Sequence, residues 1–321
     1  MERLELTSIY ADPIRDFLAY RERCGVKNIR CEHLFYRKLD RFILSEGIET
    51  ITFTREHATR WRKPFENESE SQRYRRINLT KKFFEYLFLK GYDVFQFRDI
   101  KSPKSNFTPH IYTQDEIERY FKAVDSYQSS INHNHCVQLP VLFRIFFCCG
   151  TRVTETLLIR KNDVDLKEGI IKLSETKNAK QRYVVMSKSL LHLMKLFAAK
   201  TFYQIPEKGY IFRNFKGTSI SADSANDLHG KFLLQAGIPY MGGGKGPRIQ
   251  DWRHSFAVYS FKQMIDNGMD MYVSLPILST YLGHKTIMAT ERYLRLTANM
   301  YPHIEEKFGK ALDEIFGEVE T

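Results

Sequence analysis

Residues 150–158 read Gly-Thr-Arg-Val-Thr-Glu-Thr-Leu-Leu, and the reading of the whole chain turns on them. The preceding stretch, 139–150, is apolar apart from Arg144. It is too short for the ~20 residues that a membrane-spanning helix requires, so it reads as a buried helix. Gly150 breaks that helix, and a new helical turn then presents Arg152 beside the break. Glu155 lies one turn further on, close enough to brace the same region.

Three later segments share a chemical theme with this one. Residues 169–186 predict two short strands, IIKLSE and QRYVVM, joined by a polar turn from which Lys177 and Lys180 project. Residues 248–257, RIQDWRHSFA, bring Arg248, Gln250, Arg253 and His254 to the start of a helix. Residues 282–296, LGHKTIMATERYLRL, carry His284 and Tyr293. Each segment alone has a plain structural explanation. An Arg–Glu pair serves as a salt bridge, hairpin lysines keep a protein soluble, a histidine after glycine caps a helix, and a tyrosine fills a core.

The chain has 321 residues and a net charge of +11. That length predicts two domains, and the charge favours a polyanionic partner, of which nucleic acid is the commonest. The first hundred residues read as four helices: 10–23 stopping at Gly25, 31–45, 55–63 ending at Pro64, and 72–90 stopping at Gly91. Leu34, Phe35, Leu39, Phe42 and Ile43 form the apolar face of the second. The fourth has an apolar stripe of Ile77, Phe84, Leu87 and Phe88. It also carries Arg73, Arg75, Arg76, Lys81 and Lys82 against a single acid, Glu85. A basic face is usually only a solvated one, but it is also where a phosphate backbone would lie. Periodicity stops across 92–110, where Lys101 and Lys104 sit among prolines and serines. Thr113 and Glu116 then form a capping box that opens the next helix. Domains of 1–105 and 106–321 follow from that break.

The five cysteines form no paired framework, and the N-terminus has charges where a signal peptide needs an apolar run. Both point to a cytoplasmic protein with reduced thiols. His133, His135 and Cys136 cluster in NHNHC, read as a polar loop before a helix rather than a metal site, since no second ligand pair stands at zinc spacing. The glycine-rich MGGGKGP at 241–247 lacks the preceding strand and the spacing of a nucleotide-binding loop, so it reads as a hinge or clamp.

Taken together, GTRVTETLLIRKNDVD, TKNAKQRYVVM, RIQDWRHSFA and LGHKTIMATERYLRL resemble, in order, the boxes of the tyrosine recombinase (phage integrase) family. The resemblance covers residues from about 110 to 300, while 1–105 looks like the family's helical, SAM-like core-binding domain. It implies a mainly α fold, with an α-rich catalytic domain holding a small antiparallel sheet. It also implies site-specific recombination of double-stranded DNA through a 3′-phosphotyrosine, in the manner of a mobile-element integrase or transposase. Tyr293 is then the nucleophile, and Arg152 and Arg253 clamp the phosphate with help from His284. Lys177, or alternatively Lys180, protonates the leaving 5′-oxygen, while Glu155 and His254 support neighbouring groups. The chemistry agrees: attack on a phosphodiester builds negative charge that fixed guanidiniums suit. No cofactor or metal is needed, because the phosphotyrosine conserves bond energy.

One position departs from the pattern. The second box usually reads His-x-x-Arg, but Gln250 stands where the histidine belongs. Gln can hydrogen-bond but cannot hold a proton, which leaves open a slower enzyme or a non-catalytic DNA-binding relative; a relaxing topoisomerase is the alternative among enzymes. Residues 302–317 predict an amphipathic tail helix, with Ile304, Phe308, Leu312 and Ile315 at helical spacing. In the family such tails dock on a neighbouring subunit in a tetramer, and accessory proteins can assist. A DNA-acting protein of this kind would be nucleoid-associated.

Overall fold

The computed structural model describes residues 5–26, 29–103, 108–128, 135–174, 181–240, 246–284, 286, 290, 293, 296, 297, 300 and 301, with backbone alone at 30 and 31. Two compact units divide the chain, Met1–Phe107 and Thr108–Thr321.

Among the described residues of the first unit are four helices: α1 (Ala11–Arg23), α2 (Arg30–Ser45), α3 (Arg55–Trp61) and α4 (Glu70–Leu89). Their starts follow from side-chain oxygens at the N-caps. Thr54 Oγ1 accepts from His57 N–H, and Ser69 Oγ accepts from Gln72 N–H, each at 3.3 Å. The Ser69 cap is why α4 begins ahead of the expected residue 72. Tyr10, Phe17, Tyr36, Trp61, Phe83 and Phe84 fill the core between the helices. Two expected core positions prove to be exposed, Leu34 at 62% and Phe88 at 60%. Leu34 lies one helical step of ~100° from the inward-facing Phe35. On α4 the buried positions include Phe83, Phe84 and Leu87, and Phe88 turns away beyond them.

The second unit opens with α5 (Gln114–Asp125), whose capping box forms as the sequence predicts. Glu116 N–H donates to Thr113 Oγ1 at 3.2 Å, and Thr113 N–H donates to Glu116 Oε2 at 2.8 Å. The apolar helix α6 (His135–Cys148) and the single-turn α7 (Val153–Leu157) follow. His135 and Cys136 belong to the first turn of α6 rather than to a preceding loop. Among the described residues, no group of three His, Cys, Asp or Glu side chains gathers as a metal site would require.

Strands β1 (Val164–Asp165), β2 (Ile170–Leu173) and β3 (Arg182–Val185) form an antiparallel sheet in that order. The β2–β3 hairpin matches the two predicted strands. β1 has only two residues, too few to show alternation. In β2 and β3 the inward residues are Ile171, Leu173 and Val184. The period of two therefore puts Arg182 on the same face as Val184.

Helices α8 (Lys188–Thr201), α9 (Ala222–Gln235), α10 (Ile249–Asp266) and α11 (Met271–Leu282) complete the described secondary structure. Tyr112 stacks on Trp252 with ring centres 3.7 Å apart, tying the segment before α5 to the start of α10. Behind α10 a smaller cluster of Ala257, Val258, Phe261, Leu278 and Leu282 encloses Tyr293. Among the described residues, no helix is long and apolar enough to cross a membrane.

Candidate active site

Two helices end at the same place, and that fixes the chemistry of the site. Beyond α6, Gly150 adopts φ +57°, and Gly283 closes α11 in the left-handed conformation at φ 65°. A helix C-terminus leaves carbonyls unpaired and carries partial negative charge. Arg253, on the first turns of α10 and 2% exposed, satisfies both ends. Its Nη1 donates to Gly150 O at 2.7 Å, and its Nη2 donates to Leu282 O at 2.6 Å. Burial, followed by repulsion from Arg152, pulls the Arg253 guanidinium down to about 10, which still leaves it charged at neutral pH. Among the described residues its hydrogen bonds go to no carboxylate; helix-end carbonyls hold the charge in contact, and Glu155 supports it from further away.

Arg152 sits at the N-cap of α7 and reaches the same region. Its Nη2 donates to Gly283 O at 3.3 Å and its Nη1 to Glu155 Oε1 at 2.5 Å. Glu155 also accepts from Arg152 N–H at 3.0 Å and from Arg182 Nη2 at 2.6 Å. The Glu155 side chain is wholly buried. Burial opposes its ionisation, but Arg182, the backbone bond and Arg152 together outweigh that and hold the carboxyl below the usual range. Arg182 is anchored in turn by Nη1 donating to Tyr281 O at 2.9 Å. Arg152 and Arg182 thus share one carboxylate while Arg253 is paired with none in contact, and the excess positive charge is suited to an anion.

His284 follows the Gly283 turn. Its Nε2 lies 3.1 Å from Arg253 Nη2, and its Nδ1 lies 2.6 Å from Thr290 Oγ1. The Tyr293 ring lies nearly parallel to that of His284, at 15° and 6.2 Å between centres. Tyr293 is 2% exposed, and its hydroxyl stands 2.9 Å from Nδ1 of His254. Arg152, Glu155, Arg253, His254, His284 and Tyr293, widely spread in sequence, converge here. Sequence reasoning missed Arg182 and Thr290. Arg182 had a legible signal, since alternation with Val184 points it inward.

Residues 111–300 match the model of the phage integrase family. The chain belongs to the phage integrase family. Among its relatives, the integrase/recombinase y4rB of Sinorhizobium fredii is 26% identical over 58% of this chain and 61% of its own length. The tyrosine recombinase XerC of Chlorobaculum parvum is 25% identical over 52% of this chain and 47% of its own. The chain therefore spans between about half and two thirds of these relatives. The fold is that of integrase and recombinase structures. XerH, in a post-cleavage complex with palindromic difH, has a TM-score of 0.65 at 16% identity, covering 87% of this chain and 79% of that one. A lambda integrase dimer on a core site has 0.62 at 14%, covering 88% and 94%.

Against the family pattern, Gln250 occupies the first turn of α10, one turn before His254, and lines a cavity of roughly 390 Å³ with Val153, His229, Tyr240 and Arg248. Lys177, Lys180 and Lys104 lie outside the described residues, as do the predicted tail helix 302–317 and residues 241–245 of the glycine-rich loop.

The basic residues of α4 separate into two kinds. Arg76, read from the sequence as part of a phosphate-facing stripe, is instead a core residue at 3% exposure. It is bonded to Glu68 at 2.5 Å, to the Trp61 and Lys63 carbonyls, and lies over the Phe65 ring at 4.0 Å. A lone charge inside that aromatic core would be prohibitive, and the Glu68 pair is what permits it. Arg73 spends its Nε on Arg62 O at 2.8 Å, and Lys81 pairs with Asp99 at 2.6 Å. Arg75, Lys82 and Lys101 are exposed. In the second unit Arg248, also exposed, bonds Asp251 at 3.3 Å.

Proposed function

We propose that the protein is a tyrosine site-specific recombinase that cuts and rejoins double-stranded DNA through a covalent phosphotyrosine. The observation that carries this reading is the net positive, partly buried pocket of Arg152, Arg182 and Arg253 around one carboxylate, with the Tyr293 ring packed against His284 beside it. The scissile phosphate enters between Arg152, held by Glu155, and Arg253, held by helix ends, so that neither needs much reorganisation as the transition state forms. His284 adds a hydrogen bond to the same phosphate. Tyr293 Oη attacks phosphorus, giving a 3′-phosphotyrosine, and the 5′-oxygen leaves with a proton from Lys177. Attack by another 5′-hydroxyl reverses the chemistry on a new partner strand.

The N-terminal unit supplies phosphate contacts through Arg75, Lys82 and Lys101, with Lys104 and Arg248 adding further charge. Relatives named as integrases and a transposon integrase bound to transposon-end DNA support a mobile-element role. The 302–317 tail is suited to docking on a neighbouring subunit, in keeping with a tetramer on two DNA sites. The test is a nicked suicide duplex incubated with the protein and run on a denaturing gel. A covalent adduct that depends on Arg152 and Arg253 supports the assignment, and DNA binding with no adduct would contradict it.

A further inference from the structure

The absence of a histidine at position 250 leaves the Tyr293 proton without its expected acceptor. We propose that His254, the residue after Arg253, takes that proton during cleavage and returns it on rejoining. The inference rests on Tyr293 being the nucleophile.

The geometry is direct. His254 Nδ1 stands 2.9 Å from Tyr293 Oη, inside the range a general base requires. With the ring proton on Nε2, Nδ1 presents a lone pair to which the Tyr293 O–H donates. The arrangement follows from α10 itself. Consecutive helical residues point ~100° apart, so Arg253 turns to the carbonyls of Gly150 and Leu282 while His254 turns to Tyr293. Both side chains are buried, His254 at 7% exposure and Tyr293 at 2%, which removes bulk solvent as the acceptor. The same cations that bind phosphate stabilise a phenolate, narrowing the gap between donor and acceptor.

The step balances within these groups. The Tyr293 Oη–P bond forms as the P–O5′ bond breaks, and the Tyr293 proton passes to His254 Nδ1. The departing 5′-oxygen is protonated separately, by Lys177 in the scheme above. The new imidazolium forms against Tyr293, whose ring is stacked on His284 and which interacts with the Arg253 cation, with Arg152, Arg182 and Glu155 in the same site. The bound phosphodiester, more negative in the transition state, offsets that repulsion. On rejoining, the incoming 5′-hydroxyl attacks phosphorus, the P–Oη bond breaks, and His254 returns the proton to Tyr293.

The experiment is single-turnover cleavage of a nicked suicide duplex by the full chain. Wild type, His254→Gln and the double variant His254→Gln/Gln250→His are compared from pH 5 to 9. Glutamine keeps a hydrogen bond to Tyr293 but cannot take its proton. His254→Gln is expected to form adduct ~10²–10⁴-fold more slowly at pH 7, the usual worth of general-base assistance, with unchanged DNA affinity. Its rate should keep climbing with pH where wild type levels off, and the added histidine at 250 should recover much of the loss. Should His254→Gln fail to fold, the wild-type profile decides: an acid limb with one ionisation in the histidine range is expected, and a flat rate from pH 5 to 8 overturns the proposal. Wild-type speed in His254→Gln, or a slow variant whose pH profile matches wild type, also overturns it. No adduct from wild-type protein would instead remove the nucleophile assignment beneath it.

Discussion

Replacing Glu155 with glutamine changes one atom's chemistry and removes the carboxylate that Arg152 and Arg182 share. Glutamine fills nearly the same volume, so no cavity confuses the result. The carboxylate accepts three bonds, at 2.5, 2.6 and 3.0 Å, and its side chain is inaccessible to water. Arg182 is only 11% exposed, and without Glu155 it keeps its charge with no countercharge in contact among the described residues. Breaking a buried pair by removing one partner typically costs ~3–5 kcal/mol. Arg152 retains 21% exposure and some hydration, which argues for the lower end, about 3 kcal/mol. For a unit of this size each kcal/mol moves Tm by roughly 2–4 °C, so Glu155→Gln should melt about 6–12 °C lower at pH 7. The pH dependence has a definite sign. The folded carboxyl titrates below its ordinary 4.5, so its contribution is fully present above that pH and disappears as the pH falls through the folded value. The gap between wild type and variant should therefore close in acid. Calorimetry of both proteins at pH 7 and at successively lower pH provides the assay. A variant melting within about 2 °C of wild type at pH 7, or a gap that widens in acid, would refute the reasoning.

Gly150→Ala places a Cβ 2.3 Å from Phe256 Cδ1 at φ +57°, displacing the carbonyl that anchors Arg253; thermal melts should show a loss of ~2 kcal/mol or more, and single-turnover assays slower cleavage. Arg76→Ala should destabilise the N-terminal unit by ~3 kcal/mol in urea titrations, since it strands Glu68, without altering the salt dependence of DNA binding. Arg75→Ala should do the reverse, lowering the slope of log affinity against log salt by ~1 with little effect on stability, as measured by fluorescence titration.

What the sequence disclosed and what it hid differ in physical kind. The start of α5 was legible because the Thr113–Glu116 capping box is local, whereas the Ser69 cap of α4 was overlooked and that helix was expected to begin late. The hairpin was legible through alternation, and by the same rule Arg182 could have been found. Arg76 was misread because a charge stripe on a helix does not reveal which side meets the core; Glu68, eight residues earlier in the chain, decides that. The roles of Gly150, Leu282 and Gly283 were hidden because they act through backbone carbonyls, which carry no residue signature. His254 had no clear partner in sequence, since its proximity to Tyr293 depends on how α10 packs against the segment after α11.

The proposed reaction requires a covalent bond between DNA and Tyr293. A nicked duplex, selected from random DNA by binding to the protein, is incubated with wild type and with Tyr293→Phe, and the products are separated on a denaturing gel and digested for peptide mass. Wild type should give a DNA–protein adduct on the peptide holding Tyr293, and Tyr293→Phe should bind the duplex equally well yet give none. An adduct that persists in Tyr293→Phe, or one that maps to another residue, would contradict the account.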